Sequence, residues 1–149
     1  MNDRFKFRVW HKDLKVIFYN VQDLYDPSST DPESKLHADC FGHLLNREKL
    51  ILMQSTCLKD KNDKLIYEGD IIINRRSPNS LASEYKWIVE FGEHETSSDY
   101  YASRAYGFYA KQIGFDDEAS LVQIYDEIEI LGNIYQNPEL LEVSTKEQK

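Results

Sequence analysis

Between Leu50 and Tyr135 the apolar residues come in short runs, each closed by glycine or by a cluster of polar turn formers. Leu50-Ile51-Leu52-Met53, Ile71-Ile72-Ile73, Tyr85 to Phe91, Tyr106 to Ala110, Leu121 to Tyr125 and Ile128 to Tyr135 are rich in β-branched and aromatic side chains. Such side chains pack well on a pleated surface, and runs this short are strands rather than helices. Five or six strands at this spacing favour a small barrel over a layout in which strands alternate with helices. No internal repeat is visible.

Upstream, Phe5-Lys6-Phe7-Arg8-Val9-Trp10 alternates apolar with basic residues, Lys12-Asp13 interrupts, and Val16-Ile17-Phe18-Tyr19 resumes. This predicts a hairpin, with Arg4, Lys6 and Arg8 on a solvated face opposite buried Phe5, Phe7 and Val9. Two prolines and small polar residues from Asp26 to Pro32 predict an exposed loop between this hairpin and the barrel. The expected organisation is a hairpin and loop region over residues 1–49, a barrel over 50–143 and a polar tail over 144–149. Within it, Leu50 to Gln54 is a strand and Lys59 to Lys64 a turn. Gly69 permits a sharp chain reversal before the Ile71 strand, Gly92 ends the strand begun at Tyr85, and Gly114 to Glu118 is a polar connection. Asn137-Pro138 predicts a cap residue and first-turn proline of one short helical turn.

Charge is unevenly divided. The chain carries 18 basic and 26 acidic residues, a net of −8; residues 1–79 hold 13 basic and 12 acidic, residues 80–149 hold 5 and 14. The acidic second half opposes phosphate backbones unless a local basic patch prevails. No run reaches the length of a membrane span, and Met1-Asn2-Asp3-Arg4 lacks the apolar stretch of a secretory signal, so an intracellular protein with no membrane partner is expected. Two cysteines, Cys40 and Cys57, read as reduced thiols, and Cys57, beside apolar Leu58, as inert.

Catalytic signals are lacking. His37, Cys40 and His43 bring three ligand types close in sequence but lack a fourth, so no metal site is expected. The carboxylates Glu93, Glu95, Asp116, Asp117, Glu118, Asp126, Glu127 and Glu129 read as a solvated acidic surface. Phosphate loops, nucleophile elbows and zinc-helix motifs are missing from the sequence. Hence no catalytic residue and no cofactor are assigned. Aromatic residues are more informative: Tyr100, Tyr101, Tyr106, Phe108 and Tyr109 fall within ten positions. Tyrosine joins an apolar face to a polar tip, so rings left outside the core would form a contact surface. The candidate surface comprises Arg75, Arg76, Tyr100, Tyr101, Tyr106 and Tyr109.

From Leu52-Met53-Gln54-x-Thr56 through Leu58-Lys59-Asp60-Lys61-Asn62 to Ile66-Tyr67-Glu68-Gly69-Asp70-Ile71, the chain resembles the YopX family of phage and prophage proteins. Phe7-Arg8-x-Trp10 with Val16-Ile17-Phe18-Tyr19 looks like the family's opening hairpin. Gly132-Asn133-Ile134-Tyr135-x-Asn137-Pro138-Glu139-Leu140-Leu141 is similar to its closing motif. The chain departs from the pattern where the family usually has glycine, at Cys57 and Asp63; a Cys57 that keeps glycine's geometry would carry strain, and Asp63 less. The resemblance implies a mainly β protein with an SH3-like barrel in its C-terminal part. For function it implies a phage or prophage accessory protein in a bacterial cytoplasm. The reading that follows is a non-enzymatic module that binds a protein partner or itself. A nucleic-acid-binding barrel is the alternative, and a carboxylate-based enzyme the least supported reading.

Overall fold

In this computed structural model, residues 5–21, 48–75, 85–98, 101–121 and 127–143 are described, with backbone alone for Ser97, Ser98, Tyr101 and Ala102. The chain is mainly β and divides into two compact units, Met1–Cys57 and Leu58–Lys149.

In the first unit β1 (Phe7–His11) pairs with β2 (Val16–Tyr19) as the predicted hairpin, with Val9 opposite Phe18. The turn between them closes with Lys15 N–H donating to His11 C=O at 2.8 Å. On its other edge β1 pairs with β3 (Leu50–Lys59), in the register Phe7 to Gln54 and His11 to Leu50. This places the Leu50–Gln54 strand in the first unit's sheet. The division between units therefore falls after Cys57 instead of before Leu50. Long-range pairing with β1 decides the matter, and local sequence carries no mark of it. The loop predicted over 26–32 lies outside the described residues.

A small core of Val9 and Val21, with Phe7, Phe18, Leu50 and Leu52 against it, fills one side. The solvated basic face does not form as expected. Arg8 is only 3% exposed and Trp10 is buried beside it, whereas Phe5 is more than half exposed. Arg8, Val9 and Trp10, which alternate between the two faces of β1, are all buried, so both faces of this strand are covered and its alternation does not mark a solvated side. Arg4 lies outside the described residues.

The second unit supplies β4 (Leu65–Tyr67), β5 (Asp70–Asn74), β6 (Lys86–Ser98), β7 (Tyr101–Gln112), β8 (Glu118–Ser120), β9 (Ile128–Asn133) and a 3-10 turn at Pro138–Leu141, and the strand orders are β2-β1-β3-β4 and β8-β7-β6-β5-β9. Its core joins Ile66, Ile72, Val89, Ala110, Leu121 and Ile128. Burying a side chain of this size contributes roughly 1.5–3 kcal/mol, so this cluster is the main source of the unit's stability.

The predicted turn after β3 is organised by Asp60. Its Oδ1 accepts the N–H of Asn62 and of Lys64, both at 2.9 Å, and its Oδ2 accepts the Ile130 N–H at 3.2 Å. Burial alone would raise the Asp60 pKa, but these donors outweigh it and hold the carboxyl below its usual range. The next reversal turns on Gly69, at φ 83°, where Asp70 Oδ2 accepts the Tyr67 N–H at 2.8 Å. Glycine reaches this region at no steric cost. Both positions where the family usually has glycine keep that geometry: Cys57 has φ 70° and Asp63 φ 65°. Cys57 is also exposed, contrary to the apolar setting expected from Leu58 beside it.

Two boundaries and one cap differ from expectation. β6 continues through Gly92 to Ser98, because β7 remains paired with it along its whole length. β8 begins at Glu118, inside the predicted connection, and of the predicted Leu121 to Tyr125 strand only Leu121 is described. Asn137 precedes the C-terminal turn as expected but does not cap it through its side chain. Instead its Oδ1 accepts the Asn133 N–H at 3.2 Å.

Candidate functional site

Strands β6 and β7 form the longest hairpin, in unbroken register from Trp87 opposite Gln112 to Ser98 opposite Tyr101. β5 pairs with β6 only from Lys86 to Ile88, and β8 pairs with β7 only from Tyr109 to Lys111. Among the described residues, the outer part of the hairpin thus extends beyond its neighbouring strands. Opposed residues share a face and successive ones alternate, which sorts its side chains.

One face begins in the core with Val89 and Ala110 and runs outward through Phe91 and Phe108 to Tyr106. Phe91 meets Phe108 edge-to-face at 4.9 Å between centroids and Tyr106 at 5.3 Å. Phe91 is 45% exposed and Tyr106 75%, so an apolar run leaves the core and ends in solvent. Glu93 and Arg104 flank it on the same face as an exposed, loose ion pair, 3.5 Å from Nε to Oε1. Such a pair contributes little to stability.

The opposite face carries Glu90, His94, Tyr109 and Lys111, and it is closed inward. Tyr109 donates its hydroxyl proton to Glu90 Oε2 at 2.5 Å, and His94, 4% exposed, stacks on the Tyr109 ring at 4.8 Å. The hydrogen bond to Glu90, first, and then burial raise the Tyr109 pKa far above its ordinary value. The edge of the Tyr109 ring lies over Gly92, where a Cβ would stand 4.0 Å from its Cε1, while the space over Gly107 opposite is open. The hairpin also bends here. Glu118 sits opposite Lys111, and Arg104 opposite Glu95, yet Glu118 Oε2 accepts the Glu95 N–H at 3.0 Å. Seven residues of straight strand would separate those levels by roughly 23 Å, well beyond the reach of a glutamate.

Beside Glu90 on this face lies an open pocket of about 490 Å³, bounded by Ile88, Lys111, Phe115, Asp116 and Leu141 among others.

The six residues predicted as one surface are not brought together. Tyr106 is exposed, but Tyr109 is buried and on the opposite face, as their odd spacing on a strand requires. Arg75 donates through Nε to Glu129 Oε2 at 2.9 Å, and the same oxygen receives Lys61 Nζ at 3.0 Å. The Lys61 ammonium, then the Arg75 guanidinium, hold the Glu129 carboxyl below the usual range. Arg75 is thereby committed within the fold. Arg76, Tyr100 and the side chain of Tyr101 lie outside the described residues, as do His37, Cys40 and His43. Sequence reasoning did not single out Phe91, whose exposure was signalled only by the alternation continuing past Gly92 through Glu93 and Glu95. Among the described residues, no group of three or more His, Cys, Asp or Glu side chains is arranged to hold a metal, and no helix is long and apolar enough to cross a membrane.

Over 92% of this chain and 97% of the other, the fold is similar to the crystal structure of protein EF1440 from Enterococcus faecalis, with 25% sequence identity and a TM-score of 0.48. No curated protein matches. Residues 6–142 match the family described as YopX protein. The matched span takes in the opening hairpin, the Asp60 and Gly69 turns and the Gly132–Asn137 contact, and the chain belongs to the YopX family.

Proposed function

We propose that the chain is a non-enzymatic binding module of a phage or prophage, acting in the bacterial cytoplasm. In this reading its C-terminal part is a small SH3-like barrel that uses the outer face of the β6–β7 hairpin to contact a protein partner. The observation that carries the reading is the contiguous Phe108–Phe91–Tyr106 run, which emerges from the core and leaves Tyr106 75% exposed. A single exposed ring is ordinary, but rings in mutual contact with a charged border have the composition of a protein contact site. Aromatic anchors of this kind supply most of the energy at such interfaces.

Nucleic acid is the weaker reading. Of the two predicted cationic contacts, Arg75 is held by Glu129, and residues 80–149 carry 5 basic against 14 acidic residues.

The test is a photo-crosslinking residue at position 106, compared with one at Glu139, in cells carrying the prophage. A discrete adduct with one protein from position 106, lost on Phe91→Ser, is the expected result. Equal labelling from both positions, or an adduct indifferent to Phe91→Ser, would overturn the reading. So would retention by DNA that falls steeply with salt.

A further inference from the structure

The pocket on the other face of the hairpin has a chemistry of its own. Ile88 and Leu141 form apolar walls, the half-exposed Phe115 ring stands at its side, and Glu90 and Asp116 bring carboxylates to it. One Glu90 oxygen is occupied by the Tyr109 hydroxyl. Neither Glu90 nor Asp116 is in an ion pair among the described residues. Lys111 also borders the pocket and is in no ion pair among the described residues, since Glu118 opposite it accepts the Glu95 N–H instead, so it offsets one of the two carboxylates. The local balance is therefore negative, in a unit that is itself strongly acidic.

We infer that this pocket receives an arginine side chain from a peptide segment of a partner. A guanidinium satisfies the two carboxylates through a planar array of donors, stacks on an aromatic ring, and trails methylenes that need apolar walls. Each requirement has its counterpart here: Asp116 and the remaining oxygen of Glu90, Phe115, and the Ile88 and Leu141 walls. A lysine would use the charge but not the flat ring, and an acidic or phosphorylated ligand would meet like charges. The pocket's volume, about 490 Å³, accommodates such a side chain with part of its backbone. This inference does not depend on the aromatic outer face, which lies on the opposite side of the same hairpin.

The experiment is a titration of the isotope-labelled full chain with a blocked Gly-Arg-Gly peptide, followed by amide chemical shifts. The control peptide replaces arginine with citrulline, its neutral isostere. The expected result is saturable shifts confined to the amides of Ile88, Glu90 and Lys111 to Asp116, with citrulline binding about tenfold more weakly, the loss of one well-placed charge contact. Asp116→Asn should weaken the arginine peptide by roughly fivefold, and Phe115→Ala by a comparable factor, at unchanged melting temperature. Tyr106→Ser should leave this binding unaltered, which separates it from the protein contact proposed above. Equal shifts with the citrulline peptide, shifts outside the pocket, or no saturable shift at all would overturn the inference.

Discussion

The Asn137 carboxamide occupies the space that a side chain at Gly132 would need. A Cβ built on Gly132 would stand 2.3 Å from Asn137 Oδ1 and 2.7 Å from its Cγ, while that same oxygen accepts the Asn133 N–H. Asn133 in turn accepts the N–H groups of Tyr135 and Gln136 through its own Oδ1. The closing motif is thus a self-contained reversal in which glycine and two asparagines are mutually required. Gly132→Ala is expected to cost about 1–3 kcal/mol, because the carboxamide must be displaced. Asn137→Ala alone should cost about 1 kcal/mol, the value of one hydrogen bond. If the clash is the cause, the double variant will be more stable than the sum of the single costs implies. Denaturant titration of the four proteins is the check, and strict additivity would refute the mechanism.

Cys57 and Asp63 hold left-handed conformations in which an unbranched, non-glycine residue is strained. Cys57→Gly is expected to raise stability by about 0.5–1 kcal/mol, the relief of strain less glycine's greater freedom in the unfolded chain. Asp63→Gly should gain less, since aspartate tolerates this region and also loses its exposed contact with Lys59, 3.2 Å away. Gly69→Val is expected to be strongly destabilising, because Gly69 has φ 83° and its N–H and C=O are tied to Val89 and Ile134. A Cys57→Gly variant with a lower denaturation midpoint would show that the backbone at this site does not pay the expected strain.

How much of this was legible in the sequence follows from the range of each interaction. The Asp60 turn and the Gly69 reversal could be placed from a few adjacent residues, since part of their hydrogen bonding, Asp60 to Asn62 and Lys64 and Asp70 to Tyr67, closes within four positions. The opposite orientation of Tyr106 and Tyr109 was readable from their odd spacing once both are put on one strand. Burial of Arg8 was not, because basic residues alternating with apolar ones read the same whether their face is solvated or covered, and the cover is not local. Nor was the passage of β6 through Gly92, which a run of Gly-Glu-His-Glu disguises as a strand end until Gly107 is found opposite. The pocket draws on β6, β7 and the C-terminal turn, so no local pattern announces it.

The Asp60 carboxyl gives the turn after β3 a dependence on pH. Its pKa is lowered in the folded chain, so the stability it contributes is fully present above the unfolded value of about 3.9 and is lost as pH falls through the lower folded value. Asp60→Asn should therefore remove part of the stability at neutral pH and flatten the acid limb of the stability curve below about pH 4. Asp60→Ala should cost more, roughly 3 kcal/mol, since three backbone donors lose an ionised acceptor. Denaturant midpoints measured from neutral to acid pH are the check, and an Asp60→Asn curve parallel to the wild type would exclude the assignment.

Lys86 fastens the C-terminal turn to the sheet. Its Nζ donates to the C=O of Leu140 at 2.5 Å and of Glu142 at 3.2 Å, carbonyls at the open end of the 3-10 turn. Lys86→Met keeps the apolar stem and removes both bonds. Its global cost should be about 1–2 kcal/mol. The local effect should be larger: the Leu140 and Glu142 amides, which bond to Asn137 and Glu139, should exchange with solvent faster, with β6 and β7 amides unaffected. Uniform acceleration across the sheet would mean that Lys86 supports the whole unit instead.

Tyr109 is expected to hold its proton well beyond the ordinary tyrosine range, because ionising it would set a phenolate against the Glu90 carboxylate that now accepts its hydrogen bond, in a place shielded from water by His94. With the folded pKa raised, the associated stability is complete below the unfolded value near 10 and is lost as pH rises through the folded value. With tyrosines labelled at the ring carbon bearing oxygen, the Tyr109 resonance should stay in its neutral position through about pH 10 while circular dichroism shows the fold intact. Glu90→Gln removes the facing charge and should bring the midpoint down toward the ordinary range. It should do so without separating His94 from the ring, whose stacking rests on the bend at Gly92 and Gly107. A Tyr109 resonance that titrates near 10 in the wild type, or is unmoved by Glu90→Gln, would mean that the buried side of the hairpin is open to solvent.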